Sequence, residues 1–321
     1  MESAVTITQR IDAITLIPEA YRRPDPPAPR SVKIELTGRC NYRCSFCALR
    51  SRVEQPTQDM GWNLFARIVG EMRAAGVEEI GLFYLGETFM AQGLLIRAIR
   101  HLKQEVRMPY VFLTPNGSLA TPSAVEACMA AGLDSLKWSI NAADAEQFRQ
   151  VMQVKPRLWE QSLENLKEAR RIRDTRPYAT KLYASSIQYD GEQGLRMEQL
   201  LDERVRPYVD EHYWLPLYSM GSVATQREEE LGYRPIAGNQ GRVGALRDPL
   251  PCWAVFTEGH GTSGGRLSAC CFDADGRFAM ADLNQMSFME AWQCESFQVL
   301  RAAHLRREVT GTVCEGCIAY A

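Results

Sequence analysis

The chain has 321 residues, 45% hydrophobic and 24% charged, with a formal net charge of −2. That is room for one large domain and a small one, and the near-neutral charge gives no strong pull toward nucleic acid or an anionic membrane. No apolar run reaches the ~18 residues a membrane span needs, and Met1 to Arg10 has no signal-peptide core. The expectation is a cytoplasmic protein with no nucleic-acid or membrane partner.

Pro24, Pro26, Pro27 and Pro29 forbid helix around them, and residues 1–30 read as an extended lead-in. Strand and helix signals then alternate. Ser31 to Leu36 reads as a strand. Trp62 to Ala75 places Leu64, Phe65, Ile68, Val69 and Met72 on one helical face, with Gly76 as the stop. A strand is expected over Glu79 to Tyr84, a helix over Leu94 to Gln104, and a third strand over Tyr110 to Thr114. Thr121 caps the next helix, with Pro122 in its first turn and Gly132 at its end. Ser135 to Ile140, Lys181 to Tyr189 and His212 to Leu217 complete the strands, with helices over Leu158 to Arg173 and Leu195 to Tyr208 between them. Repeated strand–helix units predict an α/β fold with a parallel sheet and outer helices, too few to close an eight-stranded barrel. Residues 218–251 read as a linker, and 252–321 as a separate module holding six of the ten cysteines.

Cys40, Cys44 and Cys47 form a C-x3-C-x2-C run directly after the first strand. Three thiolates hold three corners of a four-iron cubane and leave the fourth iron open. A zinc knuckle or a disulfide cluster is the alternative. Zinc favours four ligands in paired C-x2-C units, and no fourth lies nearby. Ten cysteines in a large chain without a secretion signal favour metal in a reducing compartment.

The spacing resembles the signature of the radical S-adenosylmethionine (SAM) enzymes. The resemblance implies a partial (β/α)6 barrel over residues 31–217. It also implies a 4Fe-4S cluster held by Cys40, Cys44 and Cys47, whose open iron binds the amino and carboxylate groups of SAM. An electron then cleaves the sulfonium to a 5′-deoxyadenosyl radical, so a reductant such as flavodoxin or ferredoxin is an expected partner. Leu85-Gly86-Glu87-Thr88 stands where the family carries Gly-Gly-Glu-Pro, with Gly86 and Glu87 matching and the flanking residues departing. Thr114-Pro115-Asn116-Gly117 resembles the family's Thr-Asn-Gly turn with a proline inserted, and Ser139 and Asn141 end the fourth strand. Phe46 holds the aromatic position near adenine. Taken alone, Glu87 reads as a loop carboxylate and Asn116 as part of a plain turn; their order on successive strand ends makes the set specific.

The tail resembles the SPASM/twitch auxiliary-cluster module. The resemblance implies one further 4Fe-4S cluster on Cys252, Cys270, Cys314 and Cys317, with zinc on the same four as the alternative. Cys270 and Cys271 are neighbours on a strand, so their side chains take opposite faces, and Cys270 is the favoured ligand. Cys128 reads as core packing and Cys294 as an incidental thiol. A fully ligated auxiliary cluster suits an electron acceptor, which makes dehydrogenation the expected outcome. Epimerisation would need a thiol hydrogen donor, for which Cys271 and Cys294 are the candidates.

The single-cluster layout resembles enzymes acting on sugars and aminocyclitols, so a polar small molecule is the expected substrate. The rivals are a peptide maturase, which would need a separate peptide partner because only 39 residues precede Cys40, and a non-enzymatic cluster or zinc scaffold. Tyr183, Gln188, Tyr213, Trp214 and Tyr218 lie near later strand ends and are candidate substrate contacts, with core or rim packing as the alternative for each.

Overall fold

Strands β1 (Ser31–Ile34), β2 (Glu79–Gly81), β3 (Tyr110–Leu113), β4 (Ser135–Ser139), β5 (Lys181–Ile187) and β6 (Glu211–Leu215) pair in parallel, each with the next in chain order. They are short and mostly buried, as strands covered on both faces must be. The computed structural model describes residues 5–51, 57–218, 236–273 and 275–317. Helices α2 (Trp62–Ala74), α3 (Gln92–Arg100), α4 (Pro122–Ala130), α6 (Arg157–Thr175) and α7 (Gly191–Arg204) cover the outer face. In α2 the expected stripe is fully buried at Phe65, Ile68, Val69 and Met72 and half-buried at Leu64. Thr121 caps α4 by accepting from the Ala124 amide, as the sequence predicts. The result is the partial (β/α)6 barrel. Its ladders stop short of the expected ends at Leu36 and Tyr84, because the chain there turns out into the loops that carry the site.

Three expectations change. The lead-in is extended only in its proline run: upstream of it, Ile7–Thr15 forms helix α1, started by a capping box between Thr6 and Gln9. Ile7, Ile11 and Ile14 recur at helical spacing and face the barrel interior, so α1 closes the end where the strands begin. The Ile7 amide and Thr8 hydroxyl donate to Glu211, and the Arg10 guanidinium lies 3.7 Å over the Tyr110 ring.

The tail, expected as a separate module, adds its strands to the sheet of the barrel. After the short helix α8 (Ala254–Thr257), β7 (Glu258–Gly261) pairs in parallel with β1, with Lys33 opposite His260. Strands β8 (Arg266–Ser268) and β9 (Ala279–Asp282) follow antiparallel, giving one nine-stranded sheet ordered β6-β5-β4-β3-β2-β1-β7-β8-β9. The physical reason is that β1, buried on both faces, would otherwise leave an open edge beside the site.

The described part of the supposed linker is packed rather than free. The Val243 amide donates to Trp214 O at 3.0 Å and Arg242 pairs with Asp12 at 2.6 Å, so this stretch of turns and bends ties α1 to the barrel. Residues 219–235 lie outside the described residues.

Helices α9 (Phe288–Trp292) and α10 (Glu295–Arg306) close the tail. The proline run cannot donate hydrogen bonds, but its carbonyls accept them. Arg301 donates to Pro24 O, Gln293 to Pro26 O and the Trp292 indole to Pro27 O. Arg301 is fully buried, stacked on Trp292 and Phe297, and burial pulls its guanidinium down to about 9.

Candidate active site

The loop after β1 carries the three leading cysteines. Its backbone is tied to a helix that the periodicity did not reveal, α5 (Ala145–Met152): the Arg43 and Ser45 amides donate to Met152 O and Val151 O. These are carbonyls of a last helical turn, which have no partner within their own helix. Tyr42 packs edge-on against Phe148 at 5.3 Å between ring centroids.

The loop after β2 closes onto the cysteine loop from the other side. The Glu87 amide donates to Arg39 O at 2.8 Å. A Cβ on Gly86 would lie 2.0 Å from Thr37 O, so only glycine allows this approach. Glu87 is buried, and its two oxygens accept from the Phe89 and Asn116 amides at 3.1 and 2.7 Å. Burial raises its carboxyl to about 7, against the lowering effect of those two amides. Asn116 in turn donates to the Asn41 side chain at 2.8 Å. Three loops after three successive strands are thus locked through Glu87 and Asn116.

A cavity of about 250 Å³ lies among them, lined by Cys40, Cys44 and Cys47 together with Phe46, Gly86, Glu87, Thr114, Asn116, Ser139 and Asn141. Every residue expected at the SAM site is in that lining. None of the three cysteines is in a disulfide among the described residues, and burial pushes the Cys40 thiol up to about 12. A thiol held that high becomes a good ligand only when a cation takes its proton's place.

A second cavity, of about 340 Å³, shares Phe46, Cys47, Thr114, Ser139 and Asn141 with the first and runs down the barrel interior to α1. Tyr213, Tyr218 and Cys271 line it. Tyr183 instead packs with Ile7 and Tyr213, and Trp214 packs edge-on against His212; neither they nor Gln188 nor Cys294 is in its lining. Cys294 caps α10 and points its thiol at Met280 O.

Cys270 is not in this lining; it and Cys271 lie in the turn after β8, which ends at Ser268, and their thiols are in contact, so the expected opposite faces of one strand are not found. Burial, and then the nearby Cys252, Cys270 and Cys317, raise the Cys314 thiol. The Tyr84 hydroxyl donates to Cys270 O at 2.7 Å, tying the tail to the loop after β2.

Sequence reasoning missed the charged interior. Lys33 forms a buried pair with Glu258, whose other oxygen meets His260 Nε2 at 2.9 Å. Lys137 donates to the Tyr213 hydroxyl at 3.0 Å. The available signal was a lysine between apolar neighbours in each strand, Val32-Lys33-Ile34 and Leu136-Lys137-Trp138. In a strand covered on both faces, such a lysine must point into the barrel.

Fold and site together define an iron–sulfur enzyme that binds SAM at the carboxyl ends of a partial barrel. A radical SAM superfamily model matches residues 34–176 and an iron–sulfur cluster-binding SPASM model matches residues 252–318. The chain belongs to the radical SAM superfamily and carries a C-terminal SPASM module. Its cofactors are SAM and 4Fe-4S clusters, one of them auxiliary.

The chain is 29% identical over 122 residues to a GTP 3′,8-cyclase of Syntrophomonas wolfei, covering 37% of this chain and 36% of that protein. It is 34% identical over 99 residues to the S-adenosylmethionine-dependent nucleotide dehydratase RSAD2 of Danio rerio, covering 30% and 26%. The matches thus span about a third of these relatives or less. Among solved structures it resembles BtrN in complex with AdoMet and 2-DOIA, with TM-score 0.59, 12% identity and 90% and 92% of the two chains covered. It also resembles Streptococcus suis SuiB bound to the precursor peptide SuiA, with TM-score 0.63, 15% identity and 86% and 67% covered. These two likenesses are of fold. No helix among the described residues is long and apolar enough to cross a membrane.

Proposed function

We propose that the chain is a radical SAM oxidoreductase or epimerase acting on a polar small molecule, of the sugar or aminocyclitol kind, held in the larger cavity. Cys40, Cys44 and Cys47 hold the SAM-binding cluster in the smaller one, and Cys252, Cys270, Cys314 and Cys317 hold the auxiliary cluster. The observation that carries this reading is that one cavity is lined by Cys47 at one end and by Cys271 beside the tail cysteines at another. Bound there, SAM and the clusters supply a hydrogen-abstracting 5′-deoxyadenosyl radical and an electron acceptor.

The chain's own part is to aim and to enclose. Glu87 and Asn116 hold the three loops in register. The rings of Phe83, Phe112, Tyr213 and Tyr218 form walls that exclude water, while Ser139, Ser185 and Asn239 offer polar contacts. The size of the cavity suits a small molecule. Cys271, which lines the cavity, would give the hydrogen atom if the product is an epimer; Cys294 is outside that lining. A reducing cytoplasm and a flavodoxin- or ferredoxin-type donor complete the reading.

The test is iron content and dithionite-driven SAM cleavage after anaerobic reconstitution. Wild type should hold about eight irons, and the Cys40→Ala/Cys44→Ala/Cys47→Ala variant about four, without 5′-deoxyadenosine. About four irons in wild type with zinc in the tail would remove the electron-acceptor role; no cleavage in wild type would remove the radical chemistry.

His304 should tune the auxiliary site. Its Nδ1 accepts from the Cys252 amide at 3.2 Å, so the ring proton sits on Nε2, which lies 3.4 Å from Cys314 Sγ. An N–H directed at a cluster sulfur stabilises the reduced state. His304→Phe should keep the auxiliary iron and lower that cluster's midpoint potential in an EPR-monitored redox titration; an unchanged potential would remove this role.

A further inference from the structure

Among the described residues, the barrel interior holds one cation without an ion-pair partner. Lys33 is matched by Glu258, and Arg10 lies 3.6 Å from the Glu79 carboxylate. The Glu211 carboxylate is taken by the Ile7 amide and Thr8 hydroxyl of α1. Lys137, among the described residues, makes a hydrogen bond to the Tyr213 hydroxyl and no ion pair. Its half-buried side chain lines the larger cavity, one turn of the strand pleat below Ser139, which both cavities share. An unpaired buried charge is costly, and it persists where a ligand completes it.

We propose that Lys137 is the docking point for an oxyanion, carboxylate or phosphate, carried by the substrate. This deepens the reading of the larger cavity as the substrate site and rests on it. The arrangement fixes an orientation: the anionic end lies at Lys137 in the middle of the barrel, and the reacting carbon lies toward Phe46 and Ser139, near the cysteine loop. The Tyr213 hydroxyl oxygen accepts from the ammonium and holds it on the cavity side. Burial, and then the like charge of Lys33, hold the Lys137 ammonium down to about 7, a cost that an arriving anion offsets.

The test is calorimetric titration of the anaerobically reconstituted holoprotein with three probes of similar size: benzoate, phenyl phosphate and benzyl alcohol. At least one anion should bind wild type tenfold or more tighter than benzyl alcohol, and which anion does so identifies the head group. Lys137→Met and Lys137→Gln should each lose that tenfold preference while still binding benzyl alcohol as wild type does, and Lys137→Arg should keep most of it. Equal binding of charged and neutral probes by wild type, no anion binding at all, or an anion preference that survives in Lys137→Met or Lys137→Gln would overturn the assignment. The wild-type comparison decides even if a variant fails to fold. Formation of 5′-deoxyadenosine by wild type reports separately on the radical chemistry, so the two readings can fail independently.

Discussion

Gly86→Ala is expected to destabilise the protein by about 3 kcal/mol or more, the upper end for forcing one methyl into a packed site. The cause is a backbone clash, 2.0 Å from Thr37 O and 3.0 Å from Arg39 O, with no flexible side chain able to give way. The loops after β1 and β2 must part, and the bond from the Glu87 amide to Arg39 O goes with them. Cofactor loading should fall together with the melting temperature, because the same separation opens the cavity between Cys40 and Glu87. Gly93→Ala is the matched control. It lies in the first turn of α3, where a Cβ meets nothing within 4 Å, and it should be neutral or stabilise by up to ~1 kcal/mol. Equal melting temperatures for the two variants would remove the argument that close approach requires glycine at position 86.

Glu258→Gln is expected to cost about 3–5 kcal/mol, because it leaves the Lys33 ammonium buried without its partner. Burial alone would raise the Glu258 carboxyl. Lys33 and then His260 outweigh it and hold the carboxyl down to about 2. A folded-state value below the unfolded one of about 4.5 means the charged form is favoured in the fold. The resulting stability, about 3 kcal/mol at 1.36 kcal/mol per pKa unit, is fully present above about pH 4.5 and is lost as pH falls toward 2. Denaturant unfolding of wild type should therefore weaken through that window, and Glu258→Gln should show a flatter dependence on top of its lower stability. Parallel pH profiles for the two proteins would show that the Lys33–Glu258 pair is not the source.

The six core strands and the helices of the barrel could be read from periodicity, and the ends were misplaced mainly where the chain leaves the sheet to build the site. That the residues expected at the SAM site line one cavity was legible because each follows a strand, and parallel βα folds bring such positions to one face. What stayed hidden was non-local. β7 has the sequence Glu-Gly-His-Gly, which carries no strand propensity, and becomes a strand because β1 needs a neighbour. α5 is eight residues long and holds the cysteine loop through its last carbonyls, a role with no signature in its own sequence. The charges of Lys137 and Glu258 were visible as residues. Their isolation or pairing depended on which strands lie side by side.

The adjacency of β1 and β7 bears on how the polypeptide is made and how it can be divided. Lys33 and its partner Glu258 are 225 positions apart in the chain. The strand that carries the first cysteine loop therefore leaves the ribosome long before the segment that covers its side, and it presents unpaired amides and carbonyls in the meantime. An excised fragment ending before β7 would keep that exposed side permanently and invite self-association. The sheet runs unbroken across the join between the barrel and the tail.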